Sequence, residues 1–231
     1  MAYRPWLIKG PVYITIAASV RSPDIEALAR AQGWNESGLI ICTINSGVDV
    51  ATLSIPSTIP NGVLMIINNG RIGGVFNSGT ALTVRTNITV VNNGTIFGGG
   101  GKGGNGATKY IFRGTGYVAN GYGGSGGDGG GFSPAGAVTL LPWAYGQLGT
   151  SQTVGGPSLG GSTSGTATGG RGGNGGAIGV AGATGSYGTT SVTFDTQNDS
   201  AVGVGKAAGN YIDGNAYVTW LATGTRLGNA I

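Results

Sequence analysis

The chain has 231 residues, of which 51 are glycine and only 9% are charged, and its net charge is +4. Disordered chains combine low hydrophobicity with high net charge, whereas 39% of these residues are hydrophobic. The composition therefore excludes a standard disordered protein. The 12 basic residues form no run or stripe along the sequence, so no nucleic-acid partner is expected.

Histidine is absent from the chain, which removes the commonest general base and the commonest metal ligand. We expect neither a cofactor nor a metal. The single cysteine, Cys42, lies in the apolar run LIICTI and is predicted to be a small buried hydrophobe. No apolar run approaches the ~20 residues that span a bilayer, and the start lacks a signal-peptide core, so no membrane insertion is expected.

The first 60 residues resemble an ordinary globular sequence, and we predict a β-rich domain over 1–60. Alternating apolar and β-branched residues predict strands over 11–20, 38–45 and 48–55. A short helix is predicted over 22–33, with Ser22 as its N-cap.

A repeat follows, in which MIINNGRIGG (65–74) matches VVNNGTIFGG (89–98). Asn-Gly favours a tight turn or corner, and a further strand is predicted over 82–91 between the two copies. Two copies 24 residues apart (Asn68 to Asn92) indicate stacked β-layers of a solenoid-like segment, with a pair of hairpins as the alternative. We expect 61–97 to bridge the flanking regions.

Glycine then becomes dense, since residues 98–188 hold 35 of the 51 glycines. From Gly170 to Gly188 every third residue is glycine, a period that suits neither an α-helix nor a strand but matches the three residues per turn of polyproline II. One unbroken helix over 170–188 would be about 59 Å long at about 3.1 Å per residue, whereas a compact chain of this size has a radius of gyration of about 17 Å. We therefore expect the stretch to reverse at least once, or the domain to be elongated. We predict a sandwich of packed polyglycine-II helices with interleaving loops over 98–231, and the alternative is a flexible linker.

Motifs of enzymes are incomplete in this chain. The stretch GGGGKGG (98–104) lacks the first Gly and the Ser or Thr of a phosphate-binding loop. Asp128 is a lone carboxylate in a stretch that otherwise resembles a calcium-binding repeat. Asp195, Asp199 and Asp213 show no spacing that would pair two of them for glycoside hydrolysis. No enzymatic activity is expected.

The order of these motifs resembles the tail-fibre adhesins of T-even-like bacteriophages. The similar segments are IINNGRIGG, VVNNGTIFGGGGKGGNG and GKAAGNYIDGNAYVTW (205–220), and the resemblance covers roughly 62–220. It implies a sandwich of polyglycine-II helices whose loops contact a receptor on the bacterial surface, a porin or a glycan. It also implies a virion protein assembled in the host cytoplasm, whose N-terminal attachment domain joins another tail or fibre protein. A purely structural component without receptor binding is the alternative.

Rigid aromatic side chains on loops suit such a binding role, because they give a large contact area at low entropic cost. Two segments between the glycine blocks carry them, 107–120 and 132–154, and we prefer the first because its cations suit anionic glycans or acidic porin loops. The predicted receptor-binding residues are Lys109, Tyr110, Phe112, Arg113, Tyr117, Trp143 and Tyr145. Trp143 and Tyr145 have an alternative role as hydrophobic plugs at one end of the sandwich.

Overall fold

A computed structural model describes residues 10–113, 116–154, 165–191 and 196–231 of the chain. These ranges contain short strands, extended segments and one short α-helix, so the predicted fold class, mostly β and irregular structure, is confirmed. No helix in the described ranges is long and apolar enough to cross a membrane.

The strands of the described ranges fall into three groups along the chain. The first group, with the helix α1 (Ile25–Ala31), is β1 (Val12–Ile16), β2 (Val20–Arg21), β3 (Ile40–Ile44), β4 (Asp49–Ala51), β5 (Leu53–Ile55), β6 (Leu64–Asn68), β7 (Arg71–Gly73), β8 (Leu82–Val84), β9 (Ile88–Asn92) and β10 (Thr95–Phe97). Within the glycine-rich region lie β11 (Lys109–Arg113), β12 (Gly116–Gly121), β13 (Gly131–Phe132), β14 (Leu140–Leu141), β15 (Ser151–Val154), β16 (Gly165–Thr168), β17 (Thr189–Thr190) and β18 (Thr196–Asp199). After it come β19 (Asn210–Asp213), β20 (Val218–Ala222), β21 (Thr225–Leu227) and β22 (Asn229–Ala230).

The first and last groups form a three-sided parallel β-solenoid. Its sheets have the orders β1-β3-β6-β9-β20, β2-β4-β7-β10-β21 and β5-β8-β19-β22, and neighbouring strands are parallel throughout. Each turn of the chain adds a strand to successive sheets. The chain leaves the solenoid after β10 and returns at β19, so the glycine-rich region is an insertion in one turn.

Alternating side chains build the core of the solenoid. In β3 the residues Ile40, Cys42 and Ile44 are fully buried while the two between them are partly exposed. The parallel register places Ile40 beside Leu64, and Leu64 beside Ile88, so apolar side chains form continuous columns. Full burial of each such side chain contributes about 1.5–3 kcal/mol.

The two Asn-Asn-Gly segments stack on each other at one corner of the solenoid. This confirms the predicted stacked layers and excludes the alternative, a pair of hairpins. Asn68 lies beside Asn92 in the register of β6 and β9. Both are buried, and the Asn68 amide nitrogen donates to the Asn92 side-chain oxygen at 2.7 Å. Asn92 in turn donates to the backbone oxygen of Thr223 at 2.7 Å. The corner thus carries a ladder of buried amides, each with a hydrogen-bond partner, as buried polar groups require.

The solenoid extends across the boundaries predicted between 1–60, 61–97 and 98–231. β3 pairs with β6 across residue 60, and β20 pairs with β9 although more than a hundred residues separate them. The segment 210–231 therefore lies in the solenoid, and the glycine-rich insertion ends near residue 209. The rise in glycine content marks where the chain leaves the solenoid. No such change marks where it returns, which follows only from the parallel pairing of distant strands.

Helix α1 is found within the predicted range, but its N-cap is Asp24 and not Ser22. The Asp24 carboxylate accepts the backbone N–H of Ala27 at 2.9 Å. Ser22 instead has a positive φ of 44° and donates its N–H to Ala51, so it belongs to the corner after β2. Ser22 and Asp24 are both good capping residues, and the pairing of β2 with β4 decides between them.

The insertion contains six extended segments whose hydrogen bonds recur at every third residue, the pattern of polyglycine-II helices. We name them PG1 (98–107), PG2 (122–130), PG3 (142–150), PG4 (169–178), PG5 (180–188) and PG6 (201–209). For example, Gly100, Gly103 and Gly106 of PG1 donate to Gly130, Gly127 and Gly124 of PG2. Consecutive helices run antiparallel. The predicted reversal of the 169–188 stretch occurs at Gly179, whose φ is 70°.

The six helices form two layers, PG2-PG1-PG6 and PG3-PG4-PG5, and backbone hydrogen bonds join neighbours within and between the layers. Residues 170, 173 and 176 of PG4 donate to PG1, whereas 169, 172 and 175 donate to PG3. A Cβ on Gly173 would lie 2.0 Å from the carbonyl oxygen of Ala183. Glycine is therefore required inside the sandwich because the neighbouring backbones approach so closely.

An aromatic contact fixes the sandwich to the solenoid. The rings of Phe97, at the end of β10, and Phe132, just after PG2, are buried with their centroids 5.1 Å apart. Phe132 also exchanges backbone hydrogen bonds with the turn after β7, through Gly74 and Phe76. The orientation of the sandwich is thereby set at its base.

Candidate functional site

The connections between the polyglycine helices lie at two opposite ends of the sandwich. At the base, beside the solenoid, Gly98 donates to Leu227, and the connections 131–141 and 179 lie here. At the other end Ala107 donates to Ser186, and Gly169 donates to Thr150. We call this second end the outer end, and the described parts of its connections are 108–113, 116–121, 151–154, 165–168, 189–191 and 196–200.

Two three-stranded antiparallel sheets cover the outer end, and we call them the outer surface. Their strand orders are β12-β11-β18 and β15-β16-β17. The buried side chains of Ile111, Ala119 and Ala167 pack together between the sheets. The backbone N–H of Asn120 donates to the Gln152 side chain at 2.9 Å, which joins β12 to β15. The outer surface therefore has its own small core.

The strand β11 presents two different faces. On one face Lys109 is only 8% exposed, and its Nζ lies 3.1 Å from the Asp199 carboxylate of β18. On the other face the rings of Tyr110 and Phe112 are partly exposed, with centroids 6.2 Å apart. The Lys109 ammonium thus forms an ion pair within the outer surface, whereas Tyr110 and Phe112 form an aromatic pair on its exposed face.

The remaining predicted residues fall into two groups, one on the same hairpin as this pair and one on PG3. The backbones of Arg113 and Tyr117 belong to β11 and β12, but their side chains lie outside the described part of the structure. Trp143 and Tyr145 lie on the side of PG3, with ring centroids 4.8 Å apart. Trp143 is seven residues from the end of PG3, about 22 Å at about 3.1 Å per residue. The structure therefore brings Tyr110 and Phe112 together on the outer surface, whereas Trp143 lies near the base and Tyr145 lies midway along PG3.

Two exposed aromatic residues near the outer end were not predicted as site residues. Tyr122 begins PG2 and is 61% exposed, and Tyr187 ends PG5 and is 62% exposed. Both occupy the non-glycine row of their helix. The period of three would have shown that these side chains point outward, but only the order of the helices shows that both lie near the outer end.

The carboxylates of the described residues serve structural contacts. Asp128 accepts from Asn77 at 3.0 Å and lies 3.7 Å from Lys102, which ties PG2 to PG1 and to the solenoid. Arg85 binds Asp213 through two hydrogen bonds and lowers the pKa of that carboxyl. Within the described ranges no cluster of His, Cys, Asp or Glu could hold a metal ion.

The fold and its outer surface define a class of protein, a polyglycine scaffold that carries loops away from a solenoid base. A family model described as "Phage tail fibre adhesin Gp38" matches residues 11–231. The chain therefore belongs to the Gp38 family of phage tail fibre adhesins. It is a protein of the virion tail, as the resemblance implied.

Two further comparisons concern curated proteins and solved structures. No curated protein matches the chain. A solved structure that matches is the crystal structure of the gp37-gp38 adhesin tip complex of the bacteriophage S16 long tail fiber, with 20% sequence identity and a TM-score of 0.49. The match covers 95% of this chain and 82% of that chain.

Proposed function

We propose that the outer surface binds a receptor on the host bacterium, either an outer-membrane protein or a surface glycan. The observation that carries the proposal is the alternating direction of the six helices, which puts three connections at the end farthest from the solenoid. An adhesin needs its binding residues at an accessible end of a rigid support, because preorganisation lowers the entropic cost of binding.

Tyr110 and Phe112 are the proposed contact residues on β11, together with Arg113 and Tyr117 on the same hairpin. Lys109 is proposed to position this strand through its ion pair with Asp199, since little of its side chain is exposed. Aromatic rings held by neighbouring strands lose little freedom on binding. We propose that the protein acts by binding and not by catalysis, which agrees with the family description.

The solenoid is proposed to join the chain to another tail or fibre protein through its N-terminal region. β1 is the terminal strand of its sheet in the described ranges, and Tyr13 on it is 66% exposed. An edge strand offers backbone groups for pairing with another chain. We propose that folding takes place in the host cytoplasm, before the protein joins the virion.

The receptor proposal is tested by labelling host cells with the purified, fluorescent protein. The double variant Tyr110→Ala, Phe112→Ala should lose labelling, whereas Tyr13→Ala, which removes an exposed ring from the solenoid, should keep it. Strains that lack surface polysaccharide or particular porins then distinguish the two receptor classes. Equal labelling by the double variant and the parent would contradict the role of β11, provided that both melt at the same temperature.

The structural alternative predicts a different pair of results. A purely structural component would be present in purified virions and would label no strain that the phage infects. Tyr13→Asp tests the attachment separately, because a charged side chain on β1 should reduce the amount of the protein in virions without changing the labelling of cells.

A further inference from the structure

A cleft of about 230 Å³ lies on the side of the sandwich, between PG4 and PG5. Its walls are Arg171 and Asn174 on PG4 and Ala183, Thr184 and Ser186 on PG5. The backbone of two glycines forms its floor. The cleft is distinct from the outer surface, because PG4 and PG5 lie below the strands that cover the outer end.

A backbone hydrogen bond joins these helices at both turns along the cleft, but the side-chain hydrogen bonds of the first turn are not repeated at the second. The Arg171 N–H donates to the Ser186 hydroxyl at 2.8 Å, and that hydroxyl donates back to the Arg171 carbonyl at 3.2 Å. One turn along, Asn174 takes the place of Arg171 and Ala183 takes the place of Ser186. Ala183 has no hydroxyl, and within the described structure the Asn174 N–H has no acceptor.

Two further side chains of the cleft offer hydrogen-bond donors. The Asn174 side-chain oxygen already accepts the Gly146 N–H at 3.2 Å, which leaves its amide nitrogen available. The Thr184 hydroxyl has no partner among the described residues. No carboxylate of the described chain lies within ion-pair distance of Arg171. A cation without a carboxylate partner, with further donors beside it, favours an anionic ligand.

Arg171 is also held in place on the PG3 side. Its Nε donates to the Gly146 carbonyl at 3.2 Å, and its guanidinium carbon lies 5.8 Å from the centre of the Tyr145 ring. The Tyr145 side chain is 68% exposed. An exposed ring beside a fixed guanidinium offers a platform on which the apolar face of a ring-shaped ligand can pack.

We propose that this cleft binds an acidic sugar of a cell-surface polysaccharide. The sugar lies across PG4: its carboxylate pairs with the Arg171 guanidinium, which lies toward PG3, and its other oxygen atoms bind the Asn174 N–H and the Thr184 hydroxyl in the cleft. Tyr145 contacts the next sugar of the chain. The site lies on the side of the adhesin, so it would hold the protein on the polysaccharide while the outer surface meets its receptor, and two contacts on one surface raise the overall affinity.

The test uses trigalacturonic acid as the acidic probe, maltotriose as the neutral probe and isothermal titration calorimetry on the purified full chain. The variant Ala183→Ser places a hydroxyl beside the Asn174 N–H, as Ser186 does beside Arg171, so that this N–H is no longer available to a ligand. We expect Arg171→Gln to weaken binding of the acid by about tenfold to hundredfold, the effect of losing a charged hydrogen bond, and Ala183→Ser to weaken it by about twofold to tenfold, the effect of losing a neutral one. Ala181→Ser, an exposed position on the same helix, is the matched control and should bind as the parent does.

Two results would overturn the proposal: no binding of trigalacturonic acid by the parent, or equal binding by Ala183→Ser. Equal binding of maltotriose would overturn the choice of an acidic ligand. The double variant of β11 should still bind the trisaccharide, so failure of this site and failure of the receptor proposal are distinguishable.

Discussion

The close packing of PG4 predicts a large effect for the substitution Gly173→Ala. The added Cβ would lie 2.0 Å from the Ala183 oxygen and 2.7 Å from the Thr184 oxygen. Both are backbone atoms, so PG4 and PG5 must separate. The movement strains the bonds Gly173 to Gly104 at 2.7 Å, Gly127 to Gly173 at 2.9 Å and Ala183 to Asn174 at 2.8 Å.

Three hydrogen bonds at about 0.5–1.5 kcal/mol each amount to roughly 1.5–4.5 kcal/mol. Alanine gains up to about 1 kcal/mol through the unfolded state, so we expect a net loss of roughly 0.5–4 kcal/mol. In a protein of this size the melting temperature should fall by about 2–4 °C for each kcal/mol. The control is Gly10→Ala, whose Cβ would meet nothing within 4 Å. Equal melting temperatures of the two variants in calorimetry would refute the close-packing argument.

Three further predictions concern the solenoid. Asn68→Ala leaves the buried Asn92 oxygen without its donor and should lower the free energy of unfolding in urea by about 1–3 kcal/mol; the exposed neighbour substitution Asn69→Ala should cost less, and equal losses would contradict the amide ladder. Burial raises the pKa of the Cys42 thiol to about 12, so a disulfide reagent at pH 8 should modify it only after denaturant is added; rapid modification of the native protein would disprove its burial. Arg85 lowers the pKa of Asp213, so this pair stabilises the fold above the ordinary aspartate pKa of about 3.9 and less as the pH falls through the lowered pKa; Arg85→Gln should reduce the melting temperature at pH 7 but not at pH 2, and an equal reduction at both would exclude the charge effect.

Short periods in the sequence predicted much of the fold. The period of three identified the polyglycine helices, since each glycine row faces a neighbouring backbone, and the Asn-Asn-Gly spacing identified stacked layers. The insertion of the sandwich into the solenoid was not predicted, because the pairing of β20 with β9 joins segments with no shared motif. Parallel pairing of distant strands leaves little trace in local composition.

The candidate site was predicted only in part. The second predicted segment, 132–154, contains both the connection 131–141 at the base and the helix PG3, which the sequence did not separate. The alternation of β11 could have shown that Lys109 and Tyr110 point to opposite faces, but the partner of Lys109, Asp199, lies 90 residues away in the sequence. The contact of Tyr110 or Trp143 with a receptor stays a prediction.

The solenoid and the sandwich differ in how freely their residues can change without loss of stability. The solenoid is held by side chains such as Ile40 and Ile66, which are fully buried, so changes in its sequence are limited by packing. The sandwich is held by backbone hydrogen bonds that involve no side chain, and its non-glycine rows point outward. Residues such as Tyr122, Tyr187 and Ala183 can therefore change without disturbing the lattice that supports them. A scaffold of this kind allows the binding surface of an adhesin to vary, while most interior glycines stay fixed because a neighbouring carbonyl group lies about 2 Å from the missing Cβ.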